Sequence, residues 1–400
     1  MILLHTSDSH FDASKRLDDV IEGHRRILQV AREKQVDLIV HGGDFFERRS
    51  TAAERSALAE WLQAATEIAP FYGVRGNHDV PGDLEIMNRL ETRHPLRIEE
   101  RVTSEPGSAW RLPLASGESV GLLGMAWVDK AHLVAGLGAA VDAEQSRQLT
   151  IEAVRTLLRC LAAEAASLRG EGCTPVLVSH GMMGGGIASS GQPLIGHGIE
   201  LSPSDLADVG AAYCALGHLH LHQEFLDGSV AYSGNVTRHD AGEARDPKGI
   251  RLVTLQDGRF AGVEFVELPA RRIVLLEKDW TGQAESDWIA CDEVTELALP
   301  GALVRFRYQV RAEDLHRVNE DQIRERLLAA GAAEVKLEAV IVQEARVRSE
   351  RIVEARGVFE KVCAWADAKG MDLSPEVLER LREKCAAIEA RCATGSEVAA

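Results

Sequence analysis

Five short polar clusters constrain the fold of this 400-residue chain more than any other feature, because each directly follows a run with the pattern of a β-strand. In α/β sheets the carboxyl ends of strands converge on one crevice, so clusters that are distant in sequence can meet there. The clusters are Asp8-Ser9-His10, Gly43-Asp44, Gly76-Asn77-His78-Asp79, Ser179-His180-Gly181 and Gly217-His218-Leu219-His220.

Short β-branched runs alternate with longer amphipathic segments from residue 1 to about 268, which is typical of an α/β fold. Asp257-Gly258 between two apolar runs is a strong hairpin signal, so the sheet is predicted to be mixed. The predicted strands are Ile2–Thr6, Val36–His41, Phe71–Val74, Val120–Met125, Pro175–Ser179, Ala212–Leu216, Ile250–Gln256 and Phe260–Val266, and the predicted helices are Leu17–Lys34, Ala52–Thr66 and Ala143–Leu168.

The pattern changes near Pro269, which predicts three domains covering residues 1–268, 269–349 and 350–400. The second is predicted to be a small α+β unit, and the third a helical hairpin with apolar stripes on its helices. The predicted elements are strands Ile273–Leu276, Val304–Val310 and Val335–Val342, helix Asn319–Ala330, and hairpin helices Arg351–Lys369 and Pro375–Cys392.

The lengths of the apolar runs, the cysteine spacing and the net charge restrict where the protein works and what it binds. The apolar runs are far shorter than a membrane span, and residues after Met1 lack a signal-peptide pattern, so we expect a cytoplasmic protein that does not contact a membrane. Seven scattered cysteines without C-x-x-C spacing argue against a disulfide framework. A net charge of −17 disfavours a broad nucleic-acid surface, so a phosphate substrate must be recruited locally.

The residue types in the clusters indicate metal binding. Carboxylate and amide oxygens mixed with imidazoles suit manganese, iron or zinc, and the ligand set exceeds what one ion requires. Two ions that share a bridging carboxylate are the simplest interpretation, and such pairs favour displacement at phosphorus. Taken singly, Asp8-x-His10 and Gly76-Asn77-His78-Asp79 are also compatible with ordinary turns, so the prediction depends on all five clusters occurring together.

The five blocks resemble the signature of the calcineurin-like metallophosphoesterase superfamily, D-x-H, G-D, G-N-H-[D/E], H and G-H-x-H, in that order. Further segments resemble the SbcD-type nuclease subunits of SbcC–SbcD complexes: His5-Thr6-Ser7-Asp8-Ser9-His10, Leu216–His220 with Gln223, and Tyr232-Ser233-Gly234 followed by Lys248-Gly249. The resemblance implies an α/β fold with a mixed-sheet sandwich flanked by helices, a small capping domain that binds DNA, and a C-terminal helical hairpin.

Carried over by position, the resemblance implies one metal held by Asp8, His10, Asp44 and His220. The other would be held by Asp44, Asn77, His180 and His218, so that Asp44 bridges the two. His78 would face the substrate phosphate and Asp79 would orient His78, which makes both catalytic residues. The resemblance implies two divalent ions, with manganese favoured.

Three positions depart from the family pattern. Glu47 stands where Asp is usual, Phe11-Asp12 replaces Leu-Gly, and Asn235 replaces Ser. None of these removes a ligand, but they alter the surroundings that orient the ligands. His41 and His197 are interpreted as structural or surface residues, and sequence alone does not define their roles or that of Glu47.

The resemblance favours a DNA exonuclease and endonuclease subunit in double-strand-break repair or recombination. It implies DNA and an SbcC-like coiled-coil ATPase as partners, with the hairpin docking on the coiled coil and a homodimer within a heterotetramer. One alternative is a phosphodiesterase for nucleotides or cyclic nucleotides, which predicts a compact chain without residues 270–400. Another is a non-catalytic scaffold, which predicts the loss of a ligand or of His78; neither loss is seen in the sequence.

Overall fold

The structure is a computed structural model that describes residues 1–103, 105–128, 143–189, 200–282, 299–342 and 350–395. The chain divides into two compact units. Unit 1 comprises Met1–Glu277, Cys291–Arg307 and Glu320–Glu338, and unit 2 comprises Lys278–Ala290, Tyr308–Asn319 and Ala339–Ala400. The three functional domains expected from the sequence stay a prediction.

The elements follow in chain order. The strands are β1 Ile2–Thr6, β2 Leu38–His41, β3 Phe71–Val74, β4 Leu96–Glu99, β5 Trp110–Pro113, β6 Ser119–Met125, β7 Thr174–His180, β8 Met182–Met183, β9 Glu200–Leu201, β10 Tyr213–Gly217, β11 Gln223–Phe225, β12 Val230–Tyr232, β13 Gly249–Gln256, β14 Arg259–Glu267, β15 Ile273–Asp279, β16 Leu303–Arg311 and β17 Glu334–Val342. The helices are α1 Leu17–Glu33, α2 Ala52–Thr66, α3 Ala143–Gly170, α4 Pro203–Ala207, α5 Glu320–Ala329, α6 Glu350–Glu354, α7 Val358–Ala368 and α8 Pro375–Gly395. Single 3-10 turns lie at Met87–Arg89, Leu226–Gly228, Ala241–Glu243 and Leu315–Arg317.

Two mixed six-stranded sheets build the part of unit 1 that carries the polar clusters. The first has the order β14-β13-β1-β2-β3-β4, and the second has the order β11-β12-β10-β7-β6-β5. β1 to β4 are mutually parallel, as are β6, β7, β10 and β12, whereas β13, β14, β5 and β11 pair antiparallel. The parallel strands therefore end at the same edge of each sheet, where their polar clusters follow.

The two sheets pack face to face through a hydrophobic core. Side chains of β1, β2 and β3, including Leu3, Val40 and Tyr72, join those of β7 and β10, including Val176 and Ala215, in one fully buried cluster. Sheet faces that bury alternate residues in this way form a sandwich. The sandwich fixes the two sheets relative to each other, and with them the loops at their edges.

Helices cover the outer faces of the sandwich. α1 buries Val20, His24, Ile27, Leu28 and Ala31, whose spacing of three and four residues defines one apolar stripe. With α2, it packs on the first sheet, while α3 contributes Val154, Leu161 and Leu168 to a cluster on the second. This layering confirms the predicted mixed α/β sandwich flanked by helices.

The predicted hairpin between β13 and β14 is confirmed. Asp257 and Gly258 both have positive φ, 50° and 73°, as a type I′ turn requires. The sequence did not predict the short strands β4, β5, β8, β9, β11 and β12, because each has only two to four residues and lies among turn signals. His197 and Cys291 lie outside the described residues.

One predicted helix is wrong. Arg351–Lys369 is not continuous: α6 ends at Glu354 and α7 begins at Val358. Gly357 between them is extended, with φ −115° and ψ 162°, because glycine is a poor helix former and serves here as the N-cap of α7. The freed amide of Val358 donates to Glu389 of α8 at 2.6 Å, which ties the two hairpin helices together.

The remaining elements complete the fold. β15, β16 and β17 form a three-stranded sheet in that order. In unit 2, Arg382 of α8 lies 5.0 Å from the ring centre of Phe359 in α7. Within the described ranges, no helix has the length and apolarity that a membrane span requires.

Candidate metal centre

Every polar cluster predicted from the sequence lies at the end of a parallel strand. Asp8 and His10 follow β1, Asp44 follows β2, and Asn77 follows β3. His180 is the last residue of β7, and His218 and His220 follow β10. The sandwich places the ends of both sheets together, so residues from both sheets share one site.

The backbone around the site is held in unusual conformations. Asp8, His10, Asp44 and His218 all have positive φ, at 53°, 45°, 56° and 112°. Non-glycine residues rarely adopt this region, and such strain persists only where surrounding contacts enforce it. Its concentration at four candidate ligands indicates that the fold directs these side chains toward a common point.

Hydrogen bonds between the loops enforce this arrangement. The amide of Asp8 donates to Gly43 at 2.9 Å, and the amide of His10 donates to the carbonyl of Asp44 at 3.1 Å. The amide of His218 donates to the Asp8 carboxylate at 3.0 Å, and that of His78 donates to the Asp44 carboxylate at 2.8 Å. Backbone amides therefore hold both carboxylates in position.

Asp8, His10 and His220 form one group whose ligand atoms lie within 4.8 Å of one another. Nε2 of His10 is 3.1 Å from Nε2 of His220 and 3.8 Å from the Asp44 carboxylate. Two imidazole nitrogens at this distance need a proton or a cation between them, since two lone pairs repel. This geometry fits a divalent cation.

Asp44, His180 and His218 form a second group with the same spacing. Nε2 of His180 is 3.3 Å from the Asp44 carboxylate. The Asn77 side-chain oxygen lies 2.9 Å from Nε2 of His180 and 2.9 Å from Nδ1 of His218. Asp44 lies against both groups, as a bridging ligand requires, so the oxygen and imidazole donors fit a pair of divalent ions.

Burial and neighbouring charges shift the pKa values of the candidate ligands in different directions. Burial raises the pKa of the Asp8 carboxyl above its usual range. Burial acts the same way on Asp44, but the imidazoles of His180 and His10 outweigh it and lower the pKa of Asp44. For His180 burial lowers the pKa, yet the Asp44 carboxylate prevails and raises it to about 9. The Asp44 carboxylate therefore favours positive charge beside it, at His180.

The two predicted catalytic residues lie differently in the site. His78 is exposed, and its ring lies 5.0 Å from that of His10. Nδ1 of His78 is 2.9 Å from the carbonyl oxygen of Glu47. Asp79 is buried, and its carboxylate accepts from the amides of Phe46 and Gly76, both at 2.9 Å. The contact that orients the His78 ring here is therefore with Glu47, while Asp79 holds the loops.

Sequence reasoning missed residues that lie behind the ligands. The Glu243 carboxylate is 2.7 Å from Nδ1 of His220. Ser9 lies 2.7 Å from both His24 and His41, beneath the loop of the first cluster. Glu47, noted only as a departure, is 2.9 Å from Nδ1 of His10, although that nitrogen has no hydrogen bond of good geometry among the described residues. No local sequence pattern marks these contacts.

The fold and the paired ligand groups define a phosphoesterase, and comparison with known families agrees. The model of the calcineurin-like phosphoesterase family matches residues 1–221, more than half of the chain. The chain belongs to this family and is a metal-dependent hydrolase.

Curated relatives make the comparison more specific. The chain is similar to the SbcD component of the nuclease SbcCD from Bacillus subtilis (strain 168), with 25% identity over 332 residues, 80% of this chain and 83% of the relative. It is also similar to the SbcD component of the nuclease SbcCD from Rhodobacter capsulatus, with 27% identity over 320 residues, 75% of this chain and 76% of the relative. Among solved structures, the chain is similar to GAP50, the anchor in the inner membrane complex of Plasmodium, with 13% identity and a TM-score of 0.38 over 67% of this chain and 84% of that one.

Proposed function

We propose that this chain is the nuclease subunit of a DNA repair complex. It hydrolyses phosphodiester bonds as an exonuclease and endonuclease, and acts with an SbcC-like ATPase in double-strand-break repair or recombination. The observation that carries the proposal is the pair of adjacent ligand groups, in which Asp44 belongs to one and lies 3.8 Å from His10 of the other, with exposed His78 beside them. Relatives named as components of a nuclease over most of the chain support the choice of DNA as substrate.

In this proposal Asp8, His10, Asp44 and His220 hold one metal. Asp44, Asn77, His180 and His218 hold the other. Two divalent ions, with manganese favoured by the family resemblance, would supply an activated water and neutralise charge on the phosphate. The chain supplies ligands at fixed positions, because backbone hydrogen bonds hold Asp8 and Asp44.

His78 serves as the catalytic residue that contacts the substrate. Its exposed ring donates from Nδ1 to the Glu47 carbonyl, and in the cationic imidazolium form Nε2 also carries a proton, which it donates to a phosphate oxygen or the leaving oxygen. Asp79 acts one step further away, by holding the amides of Phe46 and Gly76 in place.

A groove in unit 1 supports a polymeric substrate. It has a volume of about 540 Å³ and is lined by Lys15, Arg16, Arg305 and Lys336, together with Asp240 and Glu334. His239 also lines it, and the His239 ring is 4.8 Å from that of His10. Basic side chains at the edge of the metal centre would attract phosphates locally, although the whole chain carries −17.

Exposed apolar side chains on the C-terminal helices support a protein partner. Trp365 is 45% exposed, Val377 43% and Ile388 50%. An amphipathic pair of helices with such residues is suited to packing on a partner helix, and the SbcCD name of the relatives favours the coiled coil of an SbcC-like ATPase. A homodimer within a heterotetramer and a cytoplasmic location complete the proposal.

The direct test is manganese-dependent hydrolysis of end-labelled duplex and single-stranded DNA by the full chain. His78→Ala and Asp44→Ala are compared with His94→Ala, a control in the segment that precedes β4, at the sheet end opposite the metal centre. A nitrophenyl phosphodiester is assayed in parallel. DNA cleavage that both site variants abolish and the control retains supports the nuclease.

The same assay separates the alternatives. Cleavage of the small diester alone, even with an SbcC-like partner and ATP, would replace the nuclease with a phosphodiesterase for small substrates. Hydrolysis of neither substrate under those conditions would favour a non-catalytic scaffold. The complete and converging ligand set opposes the scaffold, since a scaffold has no need to retain it.

A further inference from the structure

A buried charged network lies behind one candidate ligand, His220. Glu243 ends the 3-10 turn Ala241–Glu243 and is 2% exposed, and Lys248 is 1% exposed. One Glu243 oxygen is 2.7 Å from Nδ1 of His220, and the other accepts from Nζ of Lys248 at 2.8 Å. Lys248 also donates to the Asn235 side-chain oxygen at 2.6 Å, so the network continues inward.

The geometry determines which nitrogen of His220 is free. A carboxylate can only accept, so Nδ1 of His220 carries the proton that it donates to Glu243. Nε2 then presents its lone pair toward Nε2 of His10, 3.1 Å away, in the ligand group. Glu243 therefore sets both the tautomer and the direction of the ring.

The surroundings of Glu243 keep it in this position. Its second oxygen also receives the amide of His239 at 3.1 Å and the side-chain amide of Asn235 at 3.2 Å. Burying a carboxylate is costly unless it is paired and hydrogen-bonded, and Lys248 with these donors meets that need. The result is a rigid acceptor behind one ligand.

In the part of the chain that the structure describes, no such carboxylate lies behind His180 at the second metal position. Nδ1 of His180 instead lies 2.7 Å from the backbone carbonyl of Gly42, a neutral acceptor. A carboxylate behind an imidazole increases its basicity more than a neutral carbonyl does, so the two candidate metal positions differ in the strength of their imidazole ligands.

We propose that Glu243, held by Lys248, is a positioning residue that orients His220 and strengthens divalent-metal binding at the position shared by Asp8, His10 and Asp44. The inference rests on the proposed two-metal function and makes that site asymmetric. A purely structural ion pair would stabilise the fold without changing one metal-binding step selectively. That difference makes the role testable.

The experiment is isothermal titration calorimetry of the metal-free full chain with manganese, without DNA. Glu243→Gln is compared with Glu164→Gln, a control at a buried glutamate that accepts from Gly107 at 2.8 Å on the outer side of the second sheet. Because a glutamine facing Lys248 can destabilise the fold, the double variant Glu243→Gln/Lys248→Met, with both charges removed, is measured as well. Loss of an outer carboxylate should weaken one binding step roughly 10–100-fold and leave the other unchanged.

The outcomes are distinct. Selective weakening of one step in the Glu243 variants, absent from Glu164→Gln, supports the positioning role. Parent-like affinity at both steps, or an equal loss at both, overturns it while the two-metal site stands. Absence of manganese binding by the parent chain overturns the proposed site together with this inference.

Discussion

At the scale of single residues, the histidines behind the site are held neutral by defined partners. Nδ1 of His24 donates to the Val20 carbonyl at 2.8 Å, so its Nε2 accepts from the Ser9 hydroxyl. Nδ1 of His41 accepts from the Gly43 amide at 3.1 Å, so its Nε2 donates to the same hydroxyl. Ser9, between two candidate ligands, is thereby fixed from both sides.

This network predicts a loss of stability in acid. Burial lowers the pKa of His24 from 6.5 to about 4, so between these values the unfolded chain binds a proton that the folded chain does not. Stability should therefore fall as pH decreases, by about 1.4 kcal/mol per pH unit from this residue. The free energy of unfolding of metal-free protein is measured with urea from pH 6.5 to 4.5. Its slope against pH should be smaller in His24→Gln than in the parent chain, by the amount that corresponds to one proton. An unchanged slope would show that His24 does not titrate in this way.

The close approach of the two sheets at Gly217 gives a second prediction. A Cβ on Gly217 would lie 2.3 Å from the carbonyl oxygen of Gly42, whereas one on Gly181 would meet nothing within 4 Å. Gly217→Ala should separate the loops that carry Asp44 and His218, costing about 1–3 kcal/mol and weakening manganese binding. Gly181→Ala is the control, and thermal unfolding and manganese titration calorimetry are measured for both variants. Equal losses of stability and of manganese affinity in the two variants would contradict the prediction.

The candidate ligands were predictable because a local pattern marks each one: a strand-like run followed by Asp, Asn or His. The roles of Glu243 and Ser9 were not predicted because their partners, His220 and His24, lie in other elements, and only the folded chain brings them together. Asp79 was predicted to orient His78, but side-chain direction cannot be inferred from adjacency, and the His78 ring contacts the Glu47 carbonyl.

At the scale of elements, the start of α2 is coupled to the metal centre. Thr51 and Glu54 form a capping box, and the same Glu54 carboxylate accepts from the amide of Ala13 at 2.7 Å, in the loop after His10. Thr51→Ala should cost about 1 kcal/mol of folding free energy, while Thr51→Ser should retain it. Chemical unfolding of the two variants measures this difference in folding free energy. If Thr51→Ser is as unstable as Thr51→Ala, the side chain of residue 51 does not stabilise α2 as an N-cap.

Element prediction succeeded where a segment was long and periodic, as for α1, and where turn chemistry was specific, as for Asp257-Gly258. It failed at the break around Gly357, because the apolar stripe continues across the interruption and masks it. Edge strands such as β5 and β11 are too short for two-residue periodicity to be visible.

At the scale of the whole molecule, the net charge of −17 limits how the proposed DNA substrate could bind. The charge would repel DNA at long range, so binding would depend on the metal centre and on the basic side chains of the groove that contains Lys15 and Arg305. A partner that contributes positive charge would add to this attraction.

Metal binding should stabilise the whole of unit 1, because the ligands come together only in the folded chain. Ions that bind only the folded chain contribute about 2.7 kcal/mol per site at a hundredfold excess over Kd, which should raise Tm by several degrees. Chelation should reverse the rise. Asp44→Asn, which alters the ligand proposed to bridge both positions, should lose nearly all of it, and Asp8→Asn, which alters a ligand of one position, should lose only part.

Asp37→Asn provides the matched control for these thermal scans, because Asp37 accepts from the amide of Ile2 at 2.7 Å just before β2, at the sheet end away from the ligands. It should change Tm without changing the manganese-dependent increment. If Asp44→Asn keeps the full increment, Asp44 does not bridge two ions. If Asp8→Asn and Asp44→Asn lose equal amounts, the two positions fill as one cooperative unit, because neither metal binds without the other.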